Sequence, residues 1–322
     1  MKAIQYHNYG SAEVLRLTEI SKPSPAPGEI LIRVYVTTVT AADVMMREGK
    51  PYIGRLFIGL NKPKNSTLGF DFAGEVVDTG EQVTKFKKGD RVFGGITSLG
   101  SYAEYLCVNE NDVVTNLPEN ISYEQAVPLA GSAITALNFL KGLGKIKEGH
   151  KVLLIGASGA VGSYAVQYAK LVGAEVTGVC STVNVGLVQS LGAHYVIDYT
   201  REDFISNGKE YDVIFDCVAK RSYSECKNSL ANRGIYMSTV MNLQLLKQIL
   251  STSLRGSKKA KTRATGMLPV KERLSYLIEL KGMLETGKLL SLIDSSLPLE
   301  QMAKAHAYVE GGRKKGNLVI NI

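Results

Sequence analysis

A glycine-rich turn between a predicted strand and a predicted helix carries the clearest chemical signal in the sequence. Its glycines are spaced G-x-x-G-x-x-G and follow the apolar stretch Val152–Ile155. In such a turn one glycine makes the bend, one lets a diphosphate approach the backbone, and one lets the helix pack closely. The helix start adds free N–H groups and the positive end of its dipole. The turn predicts dinucleotide binding, with a purely structural turn as the alternative. The residues expected around the diphosphate are Gly156, Ser158, Gly159, Ala160, Val161 and Gly162.

The loop after the second predicted strand bears on the choice of coenzyme. Sites that prefer NAD carry Asp or Glu about 20 residues beyond the glycines, where it hydrogen-bonds the ribose 2′-hydroxyl. No acid occurs from Ser181 through Ala193, which favours NADPH. The loop has no cation; Arg201, which follows Tyr199 on the next loop, is either that cation or a plain exposed arginine. The side chains expected to hydrogen-bond a 2′-phosphate are Ser181, Thr182 and Asn184, with Tyr199 as a further contact.

The composition is that of a folded protein with one strongly basic segment. The chain has 322 residues, 45% hydrophobic and 21% charged, which predicts two domains with sizeable cores. The net charge is +8, and five cations without an acid fall within Arg255–Arg263. That segment could bind a polyanion, but it lacks the interleaved aromatic residues that stack on bases. We expect a solvated loop beside a dimer edge and no nucleic-acid binding.

Cysteine spacing and hydropathy indicate the compartment. The four cysteines are scattered without a C-x-x-C motif, so we expect reduced thiols rather than disulfides or a thiolate metal cluster. The segment Met1–Ile20 is polar throughout and does not resemble a signal peptide. No uninterrupted run approaches the roughly 18 apolar residues that cross a bilayer. These features predict a soluble cytoplasmic protein without a membrane span.

Two kinds of pattern divide the chain. Alternation in Glu29–Val39 and turn-bounded apolar runs at Gly69–Val77 and Arg91–Phe93 predict an antiparallel barrel or sandwich. From Lys151 onward, apolar strands alternate with helical segments, which predicts right-handed β-α-β units and a parallel sheet. The strands predicted in this second part are Val152–Ile155, Glu175–Cys180, Tyr195–Ile197, Val213–Phe215 and Ile235–Ser238.

The order of the motifs resembles the medium-chain dehydrogenase/reductase superfamily, and within it the zinc-independent quinone oxidoreductase (zeta-crystallin-like) branch. The resemblance rests on G-F-D-F-A-G-E-V-V at 69–77, K-G-D-R-V-F at 88–93, the glycine turn, and K-G-N-L-V at 315–319. It implies an α/β fold in which a Rossmann doubly wound parallel sheet, 123–266, is inserted in a GroES-like β-barrel catalytic domain, 1–122 plus 267–322. It also implies NADPH as coenzyme and a homodimer.

The same resemblance bears on metal binding. Zinc alcohol dehydrogenases of this superfamily carry Cys, Gly-His-Glu and a later Cys where this chain has Thr40, Gly69-Phe70-Asp71 and about Gly131. Phenylalanine cannot ligate a metal, and catalytic zinc needs about three N, S or O ligands. We therefore expect no zinc. Without a Lewis acid, hydride transfer to an electrophilic acceptor, a quinone or an α,β-unsaturated carbonyl, remains feasible.

Further site residues are implied by the resemblance, position by position. Tyr52 could donate a hydrogen bond or proton to the developing oxyanion, or simply line an apolar cleft. Thr40 and Asp43 are the other catalytic candidates, although Asp43 is more typical of a structural hydrogen-bonder. Phe70 and Asp71 would line the substrate pocket. The coenzyme contacts implied are Thr135, Cys217, Val218, Ser238, Gly316 and Asn317.

Two other functions stay open from the sequence. An enoyl-thioester reductase would use the same fold but would need a larger cationic groove for an acyl carrier. A non-catalytic NADPH-binding regulator would bind a polyanion through the basic segment.

Overall fold

Strands and helices of the chain fall into two units. The computed structural model describes residues 1–254 and 256–322, apart from the side chains of Ile53 and Phe57. The first unit comprises Met1–Gly131, Pro269–Gly287 and Ser291–Ile322, and the second comprises Ser132–Leu268 and Lys288–Leu290. The boundaries predicted from the sequence were 122/123 and 266/267.

The described elements are fifteen strands and ten α-helices. The strands are β1 Lys2–Gln5, β2 Arg16–Glu19, β3 Glu29–Val39, β4 Asp71–Thr79, β5 Arg91–Gly95, β6 Tyr105–Asn109, β7 Val113–Asn116, β8 Lys151–Ile155, β9 Glu175–Cys180, β10 Tyr195–Asp198, β11 Tyr211–Asp216, β12 Leu230–Ser238, β13 Lys259–Lys261, β14 Ile293–Pro298 and β15 Asn317–Asn321. The helices are α1 Ala41–Glu48, α2 Arg55–Ile58, α3 Tyr123–Ala126, α4 Ser132–Leu137, α5 Ala160–Leu171, α6 Val185–Ser190, α7 Tyr223–Cys226, α8 Leu243–Leu254, α9 Val270–Glu285 and α10 Met302–Glu310.

The first unit is built on a mainly antiparallel sheet around the long strand β3. The strand order is β14-β15-β3-β4-β5-β7, and β6 also pairs with β3. Strand β6 lies along the first half of β3 and β15 along its second half, while β4 occupies the other side. Because β7 follows β6 after a short turn, the path β3-β4-β5-β7 returns through β6 to β3. This partly closed sheet confirms the predicted antiparallel barrel. The core inside it contains Ile30, Ile32, Val34, Phe72, Val76 and Val92.

The second unit contains a six-stranded parallel sheet in the order β10-β9-β8-β11-β12-β13. Counted from β8, this is the order 3-2-1-4-5-6 of a doubly wound dinucleotide fold. The prediction of β-α-β units and a Rossmann sheet is confirmed. All five strands predicted from apolar runs are present, and their observed ends differ from the predicted ends by a few residues at most, except that β12 begins earlier, at Leu230.

The prediction of a solvated loop over the basic segment was wrong in part. Lys259–Lys261 forms β13, which pairs with β12 and buries Ala260 against Tyr236. The lysines flanking Ala260 are partly buried, and Lys261 Nζ donates to the carbonyl oxygen of Leu143 at 3.2 Å. Arg255, the first cation of this segment, lies outside the described residues. The sequence did not predict this strand, because Lys-Ala-Lys contains a single apolar residue.

One helical stretch, Tyr123–Leu143, is long and apolar enough to cross a bilayer by length and composition alone. Of its apolar window, 72% is buried inside the protein, as in the core helix of a folded domain. The sequence search for an uninterrupted apolar run did not register this stretch.

Candidate functional site

The glycine turn connects β8 to α5 in the second unit and is hydrogen-bonded to the end of β9. Gly156 takes a φ of +80°, in the left-handed region that favours glycine. The N–H groups of Gly156 and Ala157 donate to the carbonyl oxygen of Val179 on β9, at 3.1 and 3.0 Å. The N–H of Gly159 then donates to the Gly156 carbonyl oxygen at 3.0 Å. The turn is therefore held rigidly at the carboxyl edge of the sheet.

Glycine suits the second and third glycine positions of the turn for different physical reasons. A Cβ on Gly162 would lie 2.1 Å from the carbonyl oxygen of Gly156, so only glycine lets α5 pack this closely on the turn. A Cβ on Gly159 would meet a single atom within 4 Å, the Gly156 carbonyl oxygen at 3.3 Å. Space is therefore open beside Gly159, where a diphosphate would approach the backbone.

The first turn of α5 presents unpaired backbone donors beside that space. Gly159 is the N-cap and makes no side-chain capping bond. The first intrahelical bond runs from Ser163 N–H to the Gly159 carbonyl oxygen at 2.9 Å. The N–H groups of Ala160, Val161 and Gly162 precede it and have no acceptor within the helix. These donors and the positive end of the helix dipole fit an anionic group.

The loops after β8, β11 and β12 meet at the point where the strand order reverses. The ladder pairs Ile155 with Asp216, and Asp216 with Ser238. A Cβ on Gly156 would lie 2.6 Å from Val218 Cγ1, so Val218 lies directly beside the glycine turn. Ligands of doubly wound sheets bind at this switch point. The structure thus brings Cys217, Val218 and Ser238 to the edge of the sheet that carries the turn.

Asp216, which the sequence analysis did not select, shapes the loop after β11. Its carboxylate is fully buried and accepts the N–H groups of Val218 at 3.0 Å and Arg221 at 2.8 Å. Burial raises the pKa of Asp216, while the backbone donors act in the opposite direction. An aspartate at the end of a predicted parallel strand was the available sequence signal.

The side chains that were predicted to contact a 2′-phosphate in the loop after β9 make hydrogen bonds within the protein. Asn184 is buried, and its amide donates to Ser158 Oγ at 3.1 Å and to Ser181 Oγ at 3.2 Å. Thr182 Oγ1 donates to Asp198 Oδ2 at 2.5 Å. The scan of 181–193 for an acid therefore missed Asp198, which reaches the loop from the neighbouring strand β10. The predicted side chains are at the loop, but Asn184 and Thr182 already have partners within the protein.

In the first unit, Thr40 and Asp43 form the N-terminal cap of α1. Asp43 N–H donates to Thr40 Oγ1 at 3.3 Å, and Asp43 Oδ2 accepts from Thr40 N–H at 2.9 Å and from Thr40 Oγ1 at 2.5 Å. This is a reciprocal capping box. Asp43 is 1% exposed, so its carboxylate fixes the orientation of Thr40 rather than facing solvent. Burial raises the pKa of Asp43 to about 6, against the lowering effect of the Thr40 hydrogen bonds.

We expect replacement of Thr40 by valine to destabilise the protein by about 1 kcal/mol, the usual cost of losing an N-cap side chain. Thr40→Ser keeps the hydroxyl and should retain most of the stability. Urea unfolding of both variants measures the difference. Equal unfolding midpoints for valine and serine would show that the cap does not stabilise α1.

Asp71 is the other buried carboxylate of the first unit. It is 3% exposed, and its Oδ2 accepts the Thr38 hydroxyl at 2.7 Å. Gly131 lies against it, since a Cβ there would be 2.5 Å from Asp71 Oδ2. Burial raises the pKa of Asp71 to about 7, and the nearby Asp43 adds to the rise. The preceding residue, Phe70, is partly exposed.

The closing strand β15 runs beside the end of β3. Leu318 pairs with Val39, so the antiparallel ladder brings Asn317 next to Thr40. Asn317 is 2% exposed, and its amide donates to the Leu292 carbonyl oxygen at 3.2 Å. Lys314, which the sequence analysis missed, donates from Nζ to the Gly316 carbonyl oxygen at 2.6 Å. Burial lowers the pKa of Lys314 to about 8.

Two further predicted residues, Tyr52 and Thr135, lie on other elements. Tyr52 is 70% exposed on the short helical turn Tyr52–Gly54, and the Arg55 guanidinium lies 4.9 Å from its ring centroid. Thr135 belongs to the second unit, half-buried on α4.

Comparison with known proteins identifies the family. Residues 26–119 match the family model described as alcohol dehydrogenase GroES-like domain, and residues 191–320 match zinc-binding dehydrogenase. The chain is 35% identical to "Quinone-oxidoreductase QR1, chloroplastic" of Triphysaria versicolor, over 99% of this chain and 98% of the relative. The chain belongs to the quinone oxidoreductase branch of the medium-chain dehydrogenase/reductase superfamily. The predicted resemblance is confirmed.

Other members of this family agree in sequence and in fold. The "2-methylene-furan-3-one reductase" of Solanum lycopersicum is 32% identical over 100% of this chain and 79% of the relative. The structure of Escherichia coli quinone oxidoreductase complexed with NADPH is 26% identical, with a TM-score of 0.86 and complete coverage of both chains. The predicted fold of this chain, a Rossmann sheet combined with a GroES-like domain, is therefore confirmed.

The name of one family model raises the question of a metal. The described residues contain no group of three or more His, Cys, Asp or Glu side chains that could hold an ion. Asp43 and Asp71 are buried and already accept hydroxyl donors, and Phe70 offers no donor atom. This donor set does not fit a catalytic zinc ion, which takes about three N, S or O ligands from the protein.

Proposed function

We propose that this chain uses NADPH to reduce a quinone or an α,β-unsaturated carbonyl and needs no metal ion to do so. The observation that carries the proposal is the glycine turn at the switch point of the parallel sheet, with open space beside Gly159 and unpaired N–H groups on α5. Relatives named quinone oxidoreductase and 2-methylene-furan-3-one reductase support the class of acceptor.

The second unit would hold the coenzyme. The N–H groups at the start of α5 would bind the diphosphate, and Ser158 lies within the turn. Asp216 fixes the loop that carries Cys217 and Val218 by accepting the N–H of Val218, so this loop and Ser238 would shape the nicotinamide side of the site, together with Thr135. When bound, the reduced nicotinamide supplies a hydride. The protein's part is to orient the coenzyme and exclude water.

The first unit would supply the acceptor pocket and a proton. Reduction leaves an oxyanion on the acceptor, which needs a hydrogen-bond donor and then a proton. Thr40 follows β3, next to Asn317 in the ladder, but its hydroxyl already donates its one proton to Asp43 Oδ2, so it would serve as donor only after releasing that bond. Tyr52 has an exposed hydroxyl and is the second candidate. Phe70 would line the pocket with Asp71 behind it, and Gly316 and Asn317 would contact the coenzyme.

The remaining parts of the proposal concern assembly and location. We propose a homodimer in the cytoplasm, with residues 123–266 as the coenzyme domain and the rest as the catalytic domain. The four cysteines are free, and burial raises the pKa of Cys107 and Cys180 to about 11, which supports unreactive thiols in a reducing compartment. Sedimentation equilibrium tests the dimer.

The basic segment gives little support to a polyanion-binding regulator. Its three lysines, Lys258, Lys259 and Lys261, each donate to a backbone carbonyl oxygen within the protein. Ammonium groups held in this way are less available to phosphates than freely projecting ones.

An acceptor panel tests the proposed function. We expect oxidation of NADPH, followed at 340 nm, to depend on addition of a p-quinone or an α,β-unsaturated ketone. The matched saturated ketone should give no turnover, because no Lewis acid polarises its carbonyl group. A chelator should leave the rate unchanged. Oxidation of simple alcohols, or loss of activity with chelator, would contradict the proposal; turnover of an enoyl thioester alone would favour the enoyl reductase alternative.

A further inference from the structure

Helix α8 carries apolar side chains on its exposed face as well as on its buried face. On the buried face, Leu245 and Ile249 pack against the core of the second unit. On the exposed face, four leucines are spaced three or four residues apart and therefore lie along one side of the helix. Each of them is between 39% and 83% exposed. We call this set the leucine stripe: Leu243, Leu246, Leu250 and Leu254. A helix that is apolar on both faces is normally covered on both, so the stripe marks a docking surface.

The surroundings of the leucine stripe are basic. Residues 226–268 of the second unit contain eight Lys or Arg residues and no Asp or Glu. Lys247 is exposed on α8, one helical turn from Leu243. Lys227 and Lys258 line a surface groove beside the last turn of the same helix. The leucine stripe therefore lies in a positively charged surface.

This charge pattern favours one kind of occupant over another. A second copy of the chain, docked on α8 through a two-fold axis, would place the stripe against itself. The two Lys247 side chains would then lie in the same interface, and residues 226–268 offer no acid to pair with them. An anionic lipid surface suits both features, because leucines bury at the acyl boundary and cations are attracted to the headgroups. The attraction acts over a Debye length, so Lys258 need not leave the carbonyl oxygen of Lys227 that it donates to.

We propose that α8 docks the second unit onto an anionic lipid surface, with the leucine stripe inserted at the headgroup boundary and Lys247 facing the lipid phosphates. The helix would lie in the plane of one leaflet and would not cross it. This inference goes beyond the proposed function and does not depend on a bound coenzyme.

Sedimentation of the full chain with vesicles measures the docking. Wild type should bind vesicles of equimolar phosphatidylcholine and phosphatidylglycerol, and should bind pure phosphatidylcholine much more weakly. Leu250→Gln should weaken binding about tenfold, the scale of one leucine withheld from an apolar phase. Lys247→Gln should weaken it about fivefold on the anionic vesicles. Because both side chains are exposed, the urea unfolding midpoints of these variants should match that of the wild type.

Two substitutions elsewhere are the matched controls for the vesicle experiment. Ile278→Gln removes a half-exposed apolar side chain from helix α9. Lys209→Gln removes a cation that lies over the ring of Tyr195, on the edge strand opposite β13. Neither should change vesicle binding by more than about twofold.

Insertion of the stripe can be observed directly, because the chain contains no tryptophan. Leu254→Trp places a single indole on the stripe, and its emission should shift to shorter wavelength when the anionic vesicles are added. Leu171→Trp places the indole at the exposed end of α5, where the vesicles should cause no shift.

Weaker vesicle binding in Leu250→Gln but not in the controls, with a shift confined to Leu254→Trp, supports the proposal. Absence of binding by the wild type overturns it. Equal binding by wild type and Leu250→Gln, or no shift in Leu254→Trp, also overturns it, because charge alone would then attract the protein. If Leu250→Gln instead turns a dimer into a monomer and the wild type does not bind vesicles, α8 is a contact between copies and the proposal fails. NADPH binding by the wild type is measured separately, and its absence would bear on the proposed function alone.

Discussion

Replacing Gly162 with alanine is expected to destabilise the second unit by about 2–3 kcal/mol, the scale of overpacking in a rigid site. The added Cβ would lie 2.1 Å from the Gly156 carbonyl oxygen. That oxygen also accepts the Gly159 N–H, so it can move away only if the turn itself shifts. Urea unfolding, followed by far-UV circular dichroism, measures the loss of stability. Coenzyme binding should fall with it, because we propose the turn as the diphosphate site.

Gly159→Ala is the matched control for this prediction. Its Cβ would meet only the Gly156 carbonyl oxygen, at 3.3 Å, so we expect stability close to that of the wild type. The methyl group would occupy the space proposed for the diphosphate, and reduced-coenzyme affinity should fall about tenfold or more. The two substitutions would then distinguish the packing role of Gly162 from the binding role of Gly159. An unchanged affinity in Gly159→Ala would contradict the placement of the diphosphate.

Asp71→Asn is expected to flatten the pH dependence of stability. Burial raises the pKa of Asp71 to about 7 in the folded protein, against an ordinary value of 3.8. The folded state therefore holds a proton that the unfolded state has lost, and stability falls as pH rises from about 4 to about 7. Between pH 5 and pH 8 this group should cost about 2–3 kcal/mol. Asparagine can still accept the Thr38 hydroxyl and carries no charge.

The measurement is urea unfolding of wild type and variant at both pH values. Relative to the wild type, the variant should gain about 2–3 kcal/mol of stability between pH 5 and pH 8. Asp78→Asn, an exposed position on the same strand β4, should change neither value appreciably. Parallel pH dependences for wild type and Asp71→Asn would contradict the assignment of the titration to Asp71.

The parallel sheet could be predicted from sequence because its central strands are continuous apolar runs. Strands buried on both faces have this composition, and the runs beginning at Val152 and Glu175 both became strands. The edge strand β13 could not be recognised, because its pairing depends on one buried alanine between two lysines. The early start of β12 has a similar cause, since the residues after Leu230 are partly or largely exposed.

The glycine turn was predictable because its chemistry is local. Bend, close packing and free N–H groups all follow from residues that are adjacent in sequence. Asp198 was missed because the search for an acid covered only the residues that follow β9 in sequence. Its carboxylate belongs to the neighbouring parallel strand β10 and contacts the loop after β9 in space. Lys314 was missed for a similar reason: its environment depends on the fold around β15.

Thr40 and Asp43 show how a local pattern can support more than one interpretation. The resemblance implied a catalytic role for both, yet Thr40-Ala-Ala-Asp43 also has the spacing of a capping box. The structure shows the capping interaction, which could have been predicted from the sequence. The catalytic role of Thr40 remains a proposal, and it requires the hydroxyl to leave Asp43, to which it donates its one proton.

Isotope transfer in chelator-dialysed protein tests the central claim most directly. NADPH deuterated at nicotinamide C4 would be incubated with the protein and an α,β-unsaturated ketone, and the product examined by mass spectrometry and NMR. Direct hydride transfer without a metal predicts one deuterium at the β-carbon of the saturated ketone, with metal content far below one ion per chain. Acceptor reduction that requires added zinc, or no acceptor-dependent oxidation of NADPH at all, would contradict it.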